Sequence, residues 1–279
     1  MSVAVRALLA DATQRLRSAG VDSPRVDAEL LLAFVLEVPR GRLVALDDVP
    51  ASVAATFDEH VTRRATREPL QHITGVTPFR HLLLAVGPGV FVPRPETELL
   101  VDAVLPHLRS LEAPLVVDLC AGSGALGLAI AAEVPGASVI AVEASEQAAR
   151  WLLRNAEGTS AQVIVGDVRD PELLRELHGR VDAVVCNPPY VPRHVHVAPE
   201  VRADPREAVF AGGDGLDLMS TVVALATVLL RAGGRFALEH DDTHAVSVPA
   251  LLSQDERWTD VVDHDDLTGR PRYVTSRRV

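Results

Sequence analysis

Asn187, Pro188, Pro189 and Tyr190 stand in a row directly after the apolar, β-branched run Val181–Cys186. Two consecutive prolines cannot donate backbone hydrogen bonds, so the row makes a rigid, donor-poor corner at the end of a buried strand. The side-chain carbonyl of Asn187 and the backbone carbonyl of Pro188 are both acceptors, and together they can hold the two N–H groups of a planar amide or amine. The open face of that nitrogen then points at a methyl donor. Tyr190 can stack on the planar group, and the prolines fix the geometry before a substrate arrives.

A second chemical cluster lies upstream. The stretch VVDLCAGSGALGLAIA runs from strand to loop to helix and holds Gly122, Gly124 and Gly127 in the pattern G-x-G-x-x-G. Such a loop lets backbone approach a ligand at a helix N-terminus, and an acid closing the next strand, here Glu143, can bind ribose hydroxyls. By itself the pattern fits NAD, FAD or S-adenosylmethionine. Asp118 narrows the choice, because a carboxylate at this strand end can reach an ammonium group, which S-adenosylmethionine carries on its methionine part. Asp167 follows the third strand, where it could accept from an adenine amino group. Asp118 could instead cap the loop, Glu143 a helix start and Asp167 a turn, but all three recur after successive strands.

The elements that must position these groups follow from periodicity. Helices are expected after Ser2 as N-cap, with Leu8, Leu9, Ala12 and Leu16 on one stripe and Gly20 as stop, after Ser23 with Pro24 in the first turn, and near 51–66 from Val53, Phe57 and Val61. Residues 1–71 therefore form a helical domain. Residues 72–92, punctuated by Gly75, Pro78, Gly87, Pro88 and Gly89, read as a β-hairpin linker. In 93–279, strands at Leu115–Leu119, Val139–Val142, Val163–Val165, Val181–Cys186 and Arg235–Glu239 alternate with helical stretches, which predicts an α/β fold with a largely parallel, doubly covered sheet.

Composition constrains the partner. The chain has 279 residues, a formal net charge of −11 and two cysteines, Cys120 and Cys186, without metal-binding spacing, so no metal is expected. All 27 cationic residues are arginine, which has no functional explanation here. Residues 1–80 hold ten Arg against ten Asp and Glu, whereas 81–279 hold 17 against 28. An acidic catalytic part argues against a grip on naked nucleic acid, which phosphate contacts dominate. Asp11 interrupts any early signal core, and no uncharged apolar run reaches the roughly 18 residues of a membrane span, so a cytoplasmic protein without membrane attachment is expected.

The quoted motifs, with REPLQHITG, FVPRPETELLVD, EVRADPREAVFAGGDGLDL, GGRFALEH and GRPRYVTSRRV, make the chain resemble the HemK/PrmC family of protein-(glutamine-N5) methyltransferases. The resemblance covers nearly the whole length. NPPY alone occurs in many N-methyltransferases, but PRPETE some 90 residues upstream, joined to a helical domain, is far more specific. It implies a Rossmann-like class I S-adenosylmethionine-dependent methyltransferase sheet behind a substrate-docking helical domain. It further implies that Asp118, Cys120, Ala121, Gly122, Ser123, Gly124, Glu143, Asp167, Val168 and Asn187 bind the cofactor, with Phe91 and Pro93 walling the pocket. Asn187, Pro188, Pro189 and Tyr190 would hold a glutamine from the Gly-Gly-Gln loop of a class I peptide chain release factor. Two positions depart from the pattern: Cys120 stands where many relatives have glycine, and Val168 where many carry an aromatic residue. The alternatives are an N-methyltransferase acting on adenine or guanine, a cofactor-binding regulator without chemistry, and a dinucleotide oxidoreductase.

Overall fold

The computed structural model describes residues 2–213 and 215–279. They form two compact units, one of residues up to Val76 together with Ala198–Ala203, the other of Thr77–Val197 and Asp204–Val279.

The first unit contains β1 (Ser2–Ala4), α1 (Val5–Ser18), α2 (Pro24–Val35), β2 (Asp48–Pro50), α3 (Ala51–Ala65) and α4 (Leu70–Thr74). Its core gathers Leu9, Leu16, Leu31, Leu32, Phe57 and Val61, the helical stripes the spacing marks. Ser2 is not an N-cap. It pairs with Pro50 in an antiparallel ribbon, so the backbone around it is extended and α1 starts only at Val5. Ser23 does sit at the N-cap of α2, with Pro24 in the first turn, but its side chain makes no capping bond.

A buried ion-pair cluster ties this unit together. The Arg64 guanidinium donates to Asp27 at 2.8 Å and to Glu200 at 2.9 Å, while Arg67 donates to both oxygens of Glu200 at 2.6 and 2.7 Å. Burial raises the Glu200 carboxyl, but the bonds from Arg67 and Arg64 outweigh it and bring it to about 2. Arg64→Ala leaves the buried Asp27 without its cation, and the expected cost is about 3–5 kcal/mol. Urea unfolding of the variant checks this. A loss below about 1 kcal/mol, the range of an exposed pair, would contradict it.

β3 (Val76–Phe79), whose residues from Thr77 on belong to the second unit, and β4 (Leu82–Ala85) form a hairpin, followed by α5 (Glu98–Leu108). Then come β5 (Leu115–Leu119), α6 (Ala125–Glu133), β6 (Ser138–Glu143), α7 (Glu146–Ala156), β7 (Gln162–Val165), β8 (Val181–Cys186), α8 (Arg206–Val209) and α9 (Asp217–Leu229). The chain closes with β9 (Leu230–Glu239), α10 (Ser247–Ser253), β10 (Trp258–Asp265) and β11 (Pro271–Arg278). Seven strands make one sheet in the order β10-β11-β9-β8-β5-β6-β7. The run from β9 to β7 is parallel, and β11 and β10 add antiparallel at the edge.

Alternation along β5 puts Val117 and Leu119 into the core on one face and Val116 into the core on the other, beside α5 and α6. Asp118 is on the Val116 face, beneath α6. Because β5 is flanked by β6 on one side and β8 on the other, the order reverses there, and a crevice opens beyond the carboxyl ends of these strands.

Candidate active site

A cavity of about 520 Å³ occupies that crevice. Its floor is the loop from β5 to α6. Cys120, at φ +59°, and Gly122, at φ +57°, carry the backbone through left-handed conformations, which explains why glycine suits position 120 and what the cysteine there withstands. Gly124 has φ +91°, and a Cβ on it would fall 2.6 Å from Leu152 Cδ1 and 2.8 Å from Leu128 Cδ1. Any side chain there would be strained by the left-handed backbone and would have to push both leucines aside.

Asp118 is fully buried at the end of β5. Its Oδ2 accepts the Gly127 N–H at 2.8 Å, and a Cβ at Gly127 would crowd that same oxygen at 3.0 Å. Its Oδ1 is buried without a hydrogen-bond partner, and Asp118 is one of the residues lining the cavity. Burial pushes the carboxyl up to about 7, against the lowering effect of the Gly127 N–H, with the charge of Glu143 adding to the rise. A buried, orphaned acceptor of this kind fits an ammonium group. One Asp118 oxygen caps α6 and the other is left buried without a partner.

Glu143 ends β6 with Oε2 accepting from Gly122 N–H and Oε1 from Ser145 N–H, both at 2.8 Å. Burial raises its pKa while these backbone donors lower it. Each oxygen keeps a second lone pair for a hydroxyl. Asp167 is exposed on the rim, where its Oδ1 accepts from Arg169 N–H at 2.9 Å in a local turn. Ala121, Ser123 and Val168 also line the cavity, as do Phe91 and Pro93 of the segment before α5. That segment is pinned by Asp204, which accepts from Val92 N–H at 3.2 Å and from the Arg94 guanidinium at 2.5 Å.

At the end of β8, Asn187 and Pro189 face the cavity, whereas Gly124, Pro188 and Tyr190 are not part of its lining. Asn187 donates from Nδ2 to Thr97 Oγ1 at 3.0 Å. Tyr190 corrects the expectation of stacking: its ring packs against the sheet core and its hydroxyl donates to Glu239 at 3.1 Å, since a phenol buried there needs an acceptor. The aromatic rings on the cavity are Phe91 and Phe210. Phe210 and Glu239 escaped the sequence reading, because a lone Phe in an irregular stretch and a polar group reached across the fold carry no local spacing signal.

The parallel sheet, the glycine loop and the acids after β5 and β6 define a class I S-adenosylmethionine-dependent methyltransferase. Comparison with known proteins is specific. Residues 7–75 match the model of the PrmC N-terminal domain, and residues 85–214 that of the methyltransferase small domain. A protein of Mycolicibacterium smegmatis named release factor glutamine methyltransferase is 48% identical over 276 residues, covering 99% of this chain and 98% of its own. The protein of that name from Streptomyces coelicolor is 49% identical over 97% of this chain and 96% of its own. The chain belongs to the release factor glutamine methyltransferase family. A Streptomyces pristinaespiralis protein named 4-amino-L-phenylalanine/4-methylamino-L-phenylalanine methyltransferase is 42% identical over 90% of this chain and 88% of its own. Among solved structures, the catalytic domain of hMettl16 shares the fold with a TM-score of 0.52 at 15% identity, over 70% of this chain and 75% of that one.

Proposed function

We propose that the protein transfers the methyl group of S-adenosylmethionine to the side-chain amide nitrogen, N5, of the glutamine in the Gly-Gly-Gln loop of a class I peptide chain release factor. The observation that carries the reading is the agreement of both domains, over nearly the full chain, with proteins named for that reaction. No helix among the described residues is long and apolar enough to cross a membrane.

The cofactor supplies a sulfonium-bound methyl group. Asp118 would hold its ammonium, Glu143 would accept from the ribose hydroxyls, Asp167 would accept from the adenine amino group, and Phe91 and Pro93 would close the wall. Asn187 Oδ1 and the Pro188 carbonyl accept the two N–H groups of the glutamine amide and aim its nitrogen at the methyl carbon. With S-adenosylmethionine bound, its sulfonium would supply the methyl carbon and its sulfur the leaving group, and the proton lost from the glutamine nitrogen would go to solvent. An amide lone pair is delocalised into its carbonyl, so orientation by Asn187 carries more of the rate than proton abstraction.

Incubation with radiolabelled S-adenosylmethionine and a purified release factor, followed by mass spectrometry, tests the reading. Label on the Gly-Gly-Gln glutamine is expected. Label confined to RNA or DNA would establish the adenine or guanine alternative instead, and label confined to 4-amino-L-phenylalanine would place the protein with its S. pristinaespiralis relative.

Glu143→Ala removes the ribose acceptor and also frees the Gly122 and Ser145 N–H groups. Cofactor affinity is expected to weaken by about 1.5–3 kcal/mol, as for other hydrogen bonds to a charged group. Calorimetric titration with unchanged affinity would take Glu143 out of the site. The N-terminal unit, neutral over residues 1–80, is assigned to docking the release factor. Every residue lining the cavity lies between Gly89 and Thr221, so deletion of residues 1–70 should spare cofactor binding while raising KM for the intact release factor. An unchanged KM in the folded truncation would refute the docking role.

A further inference from the structure

The chain holds two cysteines, Cys120 in the loop after β5 and Cys186 at the end of β8, and both are free thiols. Strand register places them together. Leu119 stands directly opposite Cys186 in the parallel pair of β5 and β8, so Cys120, one residue on, is the diagonal neighbour of Cys186. With strands about 4.8 Å apart and successive Cα atoms about 3.8 Å apart, that diagonal is about 6 Å. The Cα atoms of a disulfide lie about 4.4–6.8 Å apart. Side-chain direction agrees with this. Continued as a strand, Cys120 would turn to the face opposite Leu119, but its left-handed backbone, φ +59°, bends the chain there, and it packs against the core cluster that contains Leu119 and Cys186. The two thiols differ in access. Cys120 is half-buried and lines the cavity, whereas Cys186 is fully buried, and burial, with the neighbouring Cys120 thiol after it, raises the Cys186 pKa.

We propose that Cys120 and Cys186 form a peroxide-sensitive dithiol site whose closure to a disulfide switches off cofactor binding. Hydrogen peroxide entering the cavity meets Cys120 first, because Cys186 is out of its reach. The Cys120 sulfur bonds to one peroxide oxygen as the O–O bond breaks, which leaves a sulfenic acid and one water. The Cys186 sulfur then attacks the Cys120 sulfur: an S–S bond forms, the S–O bond breaks, and the Cys186 proton leaves with the hydroxide as a second water. Two thiols have lost two electrons and one peroxide has gained them. The strand order gives the bond its effect. β5 lies between β8 and β6, and the loop after it is tied to the β6 side, by Ala121 N–H to the Val142 carbonyl at 2.9 Å and by Gly122 N–H to Glu143 Oε2 at 2.8 Å. A disulfide draws the residue before them the other way, toward β8, since its sulfurs must come within about 2.05 Å. The loop then gives up its bonds to β6, and the Glu143 carboxylate loses the donor that fixes it.

The test needs no release factor and is independent of the methyl acceptor. The reduced full-length protein is treated with hydrogen peroxide, quenched with N-ethylmaleimide and mapped by mass spectrometry without reductant. The peptides of Cys120 and Cys186 should appear linked to each other within one chain. Calorimetric titration of the oxidised protein with S-adenosylmethionine should show affinity lowered by at least about tenfold, the worth of one hydrogen bond to a charged group, and dithiothreitol should restore it. Cys186→Ala keeps the exposed thiol and removes its partner. Before oxidation its cofactor affinity should match that of the parent, which also reports that it is folded. After peroxide, dimedone, which traps sulfenic acids, should label Cys120 in this variant and not in the parent. A treated parent in which Cys186 stays free, whether Cys120 is unchanged, capped or linked to a second copy of the chain, overturns the proposal. A linked pair that leaves cofactor affinity unchanged overturns the switch.

Discussion

Asn187→Ala is expected to lower kcat on release factor by about 10²–10³, the usual cost of removing one preorganised hydrogen-bonding group at a reacting centre, while cofactor affinity falls by less than about tenfold. The split follows from where the groups stand. Asp118, Glu143 and the glycine loop are borne by β5, β6 and the segments after them, whereas Asn187 follows β8, across the switch in strand order. Removing its side chain takes a donor from Thr97 and, on the proposed clamp, an acceptor from the substrate nitrogen, while leaving Asp118, Glu143 and the glycine loop in place. Asn187→Asp keeps an acceptor of nearly the same size but loses the Nδ2 donor that anchors it to Thr97. It should retain more activity than Ala. Asn187→Gln keeps both functions one methylene too far out and should be as poor as Ala, because a misplacement near 1 Å can cost about 10² in rate. Single-turnover kinetics with saturating cofactor checks the series. Near-normal turnover in Asn187→Ala would remove the clamp from the mechanism.

How much of this was readable beforehand depended on whether the cause was local. Val181–Cys186 and Leu115–Leu119 are strands with those bounds, because parallel strands covered on both faces need continuous β-branched or apolar runs. The glycine loop was equally plain, since Gly124 and Gly127 are dictated by contacts a few residues away. The last two strands, β10 and β11, were not among those expected. They are an antiparallel edge pair, half exposed, and Asp260, Asp263, His264 and Asp265 break the apolar alternation of the first. Ser2 misled because an N-cap and the end of a β-ribbon favour the same extended backbone, and only pairing with Asp48–Pro50 decides between them. Tyr190 misled for a related reason. Its neighbours in the chain mark it as part of the corner, yet the direction of its hydroxyl is set by Glu239, 49 residues on. Side-chain polarity across a fold leaves no periodic trace.

Asp118→Asn is the second large effect, and it has two faces of opposite sign. In the cofactor-free protein burial holds the Asp118 carboxyl at about 7, well above the 3.8 of an ordinary aspartate. The folded state therefore binds a proton more tightly than the unfolded state. Between about pH 4 and pH 7 stability falls as pH rises, and above about 7 the penalty of the buried charge is complete, since stability follows the difference in bound protons. Asn cannot ionise, still offers an oxygen to Gly127 N–H, and should leave the cofactor-free protein more stable than the parent at alkaline pH. Cofactor binding reverses the preference. An ammonium beside Oδ1 needs the carboxylate, so binding in the parent should release a proton below about pH 7 and weaken about tenfold per pH unit lost. Affinity should also decline above about pH 8, where an α-amino group gives up its own proton. In Asp118→Asn the acidic limb disappears and affinity drops by about 2–5 kcal/mol, the cost of truncating one partner of a buried charge pair. Calorimetric titration across pH, in buffers of different ionisation enthalpy, reads both the affinity and the proton released. A parent protein whose affinity is flat from pH 5 to 7, or a variant that keeps the acidic limb, would show that Asp118 serves only to cap α6.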